Sequence, residues 1–515
     1  MMIKRYLWSF VLLFALVSCN DLEDTYSDFS GDGVIRYVGK CTDVTVTPGW
    51  RKLTVTWDNS VDPTIDKIKI SWKGGNITGD SLLNKDATTC DIVGLEDGMY
   101  EVSVCGVDRK GNNSLAIPVF GRPYTMNHEN VISFSRIIAK HYFVGNRLVL
   151  FFSNWDNNVT SASLKYYTVD GELKELSITM FLVYLNPICY LLPDKIDPEK
   201  PVVVERSGKI EGCDDIIVFD PYELSHDKLY TTDFKRYVKT KYGLSEVSEA
   251  FANSLTELEI DYSYSSLEDI LNLPNIEKVI LGKNRYLKEE YLKNYGKDSL
   301  RLNESASELY EIDRSIKVLE IANELYGLTV DRYNQHFLSD AILSAKRKTL
   351  SFMNKYPNPL PPEKQYFDGS TWEISCSEKD EHSFNSHLEY LIDGDLETYW
   401  QPEVALYVRT FEITIDMKEV KTVAGIRIVQ KDFNPRIDFA STSMLPGIIK
   451  IKVSKDQVYW QDAMYMEENT IGDTCGEITI FDFPAIKEAQ YIKIIVDDQT
   501  YGQYFTTALG EISIF

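Results

Sequence analysis

Positive charge is what this sequence is shortest of. Its 515 residues carry 54 Lys and Arg against 78 Asp and Glu, a formal charge of -24. Nucleic acid is bound through a cationic surface, so that class of partner is disfavoured. Anionic lipid and strongly acidic glycans are disfavoured too, unless positive charge is gathered locally. Soft-metal patterns are missing: there is no C-x-x-C, and His382 and His387 lack the ligand spacing. Also absent are G-x-S-x-G, the P-loop, H-E-x-x-H and the dinucleotide fingerprint. Carboxylates are plentiful enough for a hydrolase pair, but a barrel-sized catalytic fold needs about 250 residues, and no block left unassigned is that long. The absences point away from an enzyme.

What is present suits three or four packed domains, with 44% hydrophobic residues. At the start, Lys4 and Arg5 precede an apolar run, Tyr6 to Val17, too short to span a membrane as a mature helix. It ends in Leu16-Val17-Ser18-Cys19, which resembles a bacterial lipobox and implies lipidation of Cys19. The acidic stretch Asn20 to Asp24 resembles the export signal of Bacteroidetes surface lipoproteins. Residues 1–19 are therefore expected to be a signal peptide and 20–34 a tether, with the protein anchored at the outer membrane and exposed on its surface. Seven cysteines remain, an odd number. Cys90 with Cys105, or Cys189 with Cys213, could bridge, although buried thiols are the commoner case.

From residue 35 to 124 the pattern is all-β. Leu53, Val55 and Trp57 alternate after a turn at Pro48-Gly49, and Ile68, Ile70 and Trp72 alternate up to Gly74-Gly75. This stretch resembles a fibronectin type III, or Ig-like, sandwich, and Asp24 to Tyr124 more closely resembles an N-terminal domain of unknown function common in Bacteroidetes lipoproteins. Trp57 and Trp72 could be sugar platforms, but aromatics in alternating strands are usually core. A second β-sandwich is expected over 125–232, with strands at Leu148–Phe152, Leu164–Val169 and Val202–Val204.

Over 233–354 the spacing Leu255-x-x-Leu258-x-Ile260 recurs as Ile276-x-x-Val279-x-Leu281 and as Ile316-x-x-Leu319-x-Ile321. That resembles a short leucine-rich-repeat-like α/β segment, with Leu267, Ile270 and Leu273 on the intervening turn or helix. An irregular α/β linker fits the residues equally. Helical patterns run over Leu319 to Tyr326 and His336 to Met353, and a Pro-rich linker, 355–370, reads as a stiff extended spacer.

The most informative stretch is Leu391-Ile-Asp-Gly-Asp-Leu-Glu-Thr-Tyr-Trp400. Asp393 and Thr398 offer oxygens around a Gly394 turn, which suits a hard cation or an ordinary acidic loop. With Trp372, Phe411–Asp416, Val453–Trp460, Gln490–Ile494 and Ala508–Phe515, it resembles the discoidin, or coagulation-factor 5/8 type C, domain, which includes family 32 carbohydrate-binding modules. Over 371–515 the resemblance implies a β-sandwich jelly roll with structural Ca2+. Side-chain oxygens would come from Asp393, Thr398 and Glu511, and carbonyls from Tyr390, Asp395 and Gly510. Gly510 replaces the family's usual Ala. Loops of the resembling modules contact sugar, which makes Phe433, Asn434, Arg436, Tyr501 and Tyr504 the candidate ligands.

The expectation is thus a mainly β, multidomain surface lipoprotein that binds poly- or oligosaccharide without catalysis, within a polysaccharide-utilisation system alongside outer-membrane transporter proteins. The rival is a surface adhesin or scaffold that binds protein partners.

Overall fold

The computed structural model describes residues 37–287, 307–378, 387–432, 444–464 and 471–515. Cys19, Phe433, Asn434, Arg436 and His382 lie outside those residues.

The chain is mostly β and multidomain, built of several separate sheets. The first unit sets a three-stranded sheet (Thr42–Gly49, Lys52–Asp58, Thr89–Val93) against a four-stranded one (Ile65–Gly74, Ile77–Asn84, Tyr100–Asp108, Val119–Gly121). Alternation dictates the packing: Leu53, Val55, Trp57, Ile68, Ile70, Val102 and Val104 all enter one core. Trp57 is core, and Trp72 packs against it. The first hairpin turns one step later than expected. Gly49 pairs with Lys52, so Trp50-Arg51 makes the turn, with Arg51 at φ 52°. Pro48 stays in the ladder because its strand is an edge.

The second unit has a five-stranded sheet and a three-stranded one. Its strand Arg147–Phe152 explains the unbroken run Leu-Val-Leu-Phe. Leu148 and Leu150 face the core of this unit, whereas Val149 and Phe151 face that of the middle segment. A strand covered on both sides has no reason to alternate. Cys90, Cys105, Cys189 and Cys213 are thiols, not disulfides. Burial pushes the Cys189 thiol up to about 11.

In the middle segment four parallel strands stand in chain order: Glu257–Ile260, Lys278–Leu281, Thr329–Tyr333 and Met353–Tyr356. Leu258, Val279, Val330 and Met353 lie in register across them. The first two expected repeats are these first two strands, and Leu267–Asn272 is a 3-10 helix between them. The third is not a strand. Ile316, Leu319 and Ile321 lie on the helix Ile312–Tyr326, because a spacing of three also marks one helix face. The third strand instead carries Val330. Of the expected helix from His336 to Met353, only Asp340–Ala345 is helical.

In the last unit two 20-residue strands, Thr410–Val429 and Ile478–Asp497, pair antiparallel through register shifts at Asp416/Lys421 and Val423/Gly425. Glu373–Cys376, Lys450–Ser454, Gln461–Asp462 and Glu511–Ile514 complete the sheet. Ile413, Ile415, Ile426, Ile428, Ile492 and Ile494 build its core. The stretch 357–369 has no regular secondary structure, and its end is attached to the last unit. Asn358 bonds the Leu287 backbone of the middle segment, whereas Phe367 donates its amide to Ile514 at 2.9 Å and Tyr366 packs edge-on against Phe515. The backbone of Tyr286 also accepts from the Ile478 amide at 3.0 Å, which joins the middle sheet to the last domain.

Candidate functional site

Two features occupy one end of the last domain: an acidic loop and, beyond it, a solvent-facing pair of loops. The acidic loop follows the short helix Leu388–Leu391, which carries Tyr390. Gly394 at φ 77° turns the chain back, a conformation in which a Cβ is strained. Asp393 then accepts from the Asp395 amide at 2.9 Å and from the Thr398 hydroxyl at 3.0 Å. The Thr398 hydroxyl also reaches the Asp395 carbonyl at 2.9 Å. Two residues on, buried Trp400 exchanges both backbone hydrogen bonds with Leu509. That bridge brings Gly510 and Glu511 beneath the loop.

Glu511 is the anomaly. It is 3% exposed, and one carboxylate oxygen, Oε2, has no hydrogen-bond partner. Burial and the nearby Asp393 carboxylate push its pKa up to about 8, although the Gly394 amide pulls it down. An orphaned buried carboxylate oxygen costs about 1–3 kcal/mol or more unless a proton or cation meets it. The structure brings Asp393, the Asp395 carbonyl, Thr398 and Glu511 together; of the other two expected donors, Tyr390 lies on the preceding short helix and Gly510 next to Glu511 in the chain. Among the described residues no group of three or more His, Cys, Asp or Glu side chains gathers to hold a metal. A set built on two carboxylates plus hydroxyl and carbonyl oxygens is of another kind. Gly510 is explained by packing, since a Cβ there would stand 3.0 Å from the carbonyls of Val429 and Gln430.

Beyond Trp400 the chain runs into the loop 403–409, which lies beside the hairpin Gln499–Tyr501 with Tyr504–Thr506. Ala405 and Phe505 exchange backbone bonds at 2.8 Å, and buried Thr506 donates to the Pro402 carbonyl at 3.0 Å. Arg409 grips the buried Asp498 carboxylate through Nε at 2.8 Å and Nη2 at 3.2 Å, and caps the Glu403 carbonyl at 2.7 Å. On this frame Leu406 is 76%, Tyr407 68% and Val408 57% exposed. Tyr504 is 37% exposed, and its hydroxyl takes a hydrogen bond from Gln503 at 3.0 Å.

Of the expected sugar ligands, Tyr504 stands at this surface and Tyr501 lies on the paired hairpin strand. Gln430 and Lys431, which open the other expected loop, are buried. Gln430 donates to the Pro446 and Gly472 carbonyls, so it serves the fold and not a ligand. Sequence reasoning missed Leu406, Tyr407 and Val408. The signal was the apolar run Val404–Val408 between Pro402 and Arg409, too short for a core strand of its own.

Residues 373–509 match the F5/8 type C domain, and residues 19–182 match a domain of unknown function, DUF4998. No curated protein sequence matches the chain. Among solved structures, CBM32-1 from a family 31 glycoside hydrolase of Clostridium perfringens is similar at 18% identity, over 29% of this chain and 98% of its own, with a TM-score of 0.23. The F5/8 type C domain of a Bacteroides fragilis protein is similar at 15% identity, over 29% and 93%, also at 0.23. A two-domain fibronectin type III segment from chicken tenascin is similar at 14% identity, over 36% and 98%, at 0.18.

Proposed function

We propose that this is an exported, lipid-anchored surface protein whose C-terminal domain binds carbohydrate without reacting with it. One observation carries the reading: the F5/8 type C match coincides with a domain end where Tyr504, Tyr407 and Leu406 are offered to solvent on a pinned frame. Exposed rings take the apolar face of a sugar, and the Gln503 and Tyr504 polar groups are available to its hydroxyls. Tyr501, Phe433, Asn434 and Arg436 join the proposed ligand set on the family resemblance alone.

Calcium belongs to this reading as a structural ion held by Asp393, Thr398 and Glu511 with the Tyr390, Asp395 and Gly510 carbonyls. Bound there, it would supply positive charge to the Glu511 oxygen that lacks a partner. The loop it steadies leads through Trp400 into the 403–409 loop, which links the ion to the shape of the binding surface. Anchoring rests on the lipobox-like Leu-Val-Ser-Cys19, at which the N-terminal domain match begins. By the family resemblance, such a protein would serve a polysaccharide-utilisation system and hand glycan to an outer-membrane transporter.

A second reading has its own observation. Val404, Leu406 and Val408 are aliphatic and exposed, which suits a protein partner and an adhesin or scaffold role. A glycan array probed with the full chain, with and without chelator, separates the two. Binding of a defined glycan that weakens with Tyr504→Ala supports carbohydrate. Silence across the array, with capture of a protein partner that Leu406→Asp abolishes, supports the second reading.

A further inference from the structure

We propose a second carbohydrate site, independent of the loop surface, in the cleft between the middle parallel sheet and the last domain. The cleft encloses about 460 Å³, within the about 300–1,000 Å³ typical of small-molecule sites. It lies where Ile260 and Leu281 end the first two parallel strands, the edge at which open α/β sheets hold ligands. Helix Thr232–Tyr242 forms one wall, and residues 480–484 of the last domain form the other.

Its chemistry selects the ligand class. The wall charges pair off: Arg236 meets Asp233 at 2.7 Å, and Lys241 meets Glu259. Burial opposes ionisation of Glu259, but hydrogen bonds from Lys241 and Lys283 outweigh it and hold the carboxyl at about 2. Asp261 differs. Its two carboxylate oxygens accept from the Asn284 amide and side chain, both at 2.9 Å, and among the described residues no ion pair is formed by it. Burial pushes its pKa upward. The rings of Tyr237, Tyr262, Tyr286 and Phe481 surround these groups.

A cationic ligand would have to displace Arg236 or Lys241 from its carboxylate, and an anionic one would meet Asp261 and Asp482. A neutral ligand that donates hydroxyls to Asp261, accepts from Arg236 and lays an apolar face on tyrosine meets neither penalty. One or two sugar rings have that character. The site does not depend on the calcium loop or on Tyr504.

The test titrates a panel of neutral oligosaccharides (maltotriose, cellotriose, xylotriose and mannotriose) into the full chain carrying Tyr504→Ala, which weakens the loop surface, so that the change on adding a cleft variant reports the cleft. The expected result is saturable binding of at least one trisaccharide, weakened about tenfold or more by adding Asp261→Asn. Tyr262→Leu, which removes a ring but keeps apolar bulk, should weaken the same sugar and guards against misfolding of the Asp261 variant. If none of the four binds in the Tyr504→Ala background, or if both added variants bind as tightly as their parent, the proposal fails and the loop-surface reading is untouched.

Discussion

Arg285 and Glu477, 192 residues apart in sequence, meet as a buried two-pronged ion pair between the middle sheet and the last domain. Arg285 is 2% exposed, and its Nη2 reaches Glu477 Oε2 at 2.9 Å. Glu477 also accepts from the Thr474 amide at 3.1 Å. Removing one partner strands the other charge in the interior, at a cost of about 3–5 kcal/mol. Glu477→Ala should therefore lower the calorimetric transition of the last domain and expose the junction to limited proteolysis. An unchanged thermogram would show that the two units are joined by other contacts.

Glu511 yields a pH prediction. Its ordinary value is 4.5, and in the fold it rises to about 8 through burial and the Asp393 charge. Between those values the fold holds a proton that the unfolded chain has lost, so without metal stability falls as pH rises across that window. The decline is at most about 1.4 kcal/mol per pH unit. Scanning calorimetry in chelator should show the last domain melting lower at pH 8 than at pH 5. Calcium should remove most of the difference, and Glu511→Gln should flatten it. A slope that persists in Glu511→Gln would assign the effect elsewhere.

Gly394→Ala separates backbone strain from crowding. No atom lies within 4 Å of the added Cβ, yet φ is 77°. The cost should be about 1–2 kcal/mol from the left-handed conformation alone. Thermal melting in calcium would check this, and a neutral outcome would mean the loop relaxes to another turn.

Phe151→Ala tests the strand that serves two cores. A buried aromatic lost from the middle core should cost about 3–5 kcal/mol. Because Leu148 and Leu150 of the same strand hold the second sandwich, urea unfolding should shift the transitions of both units together. A shift confined to one would contradict the shared strand.

Much of this architecture was legible from residue pattern. Alternation at Leu53, Val55 and Trp57 and at Ile68, Ile70 and Trp72 carries its own period, so those strands were read directly. Leu148–Phe152 was read as a strand, but its two-sided burial depends on a neighbour distant in sequence. Ile316, Leu319 and Ile321 misled because a strand-turn repeat and a helix face share a spacing of three. Asp393, Thr398 and Glu511 could be grouped only by family resemblance, since 118 residues of sequence separate the first from the last. The exposed loop at Leu406–Val408 was overlooked because a short apolar run reads as core until the frame holding it outward is seen. The Arg285–Glu477 contact and the cleft beside it leave no local signal at all.

The central claim, that the loop surface of the last domain recognises carbohydrate and leaves it intact, is tested most directly by calorimetric titration of the strongest array glycan into the full chain, followed by chromatography of the glycan after prolonged incubation. The account predicts saturable binding that Tyr504→Ala weakens about tenfold or more with folding preserved, and a glycan recovered unchanged. Unaltered affinity in Tyr504→Ala, or the appearance of shortened glycan, would contradict it.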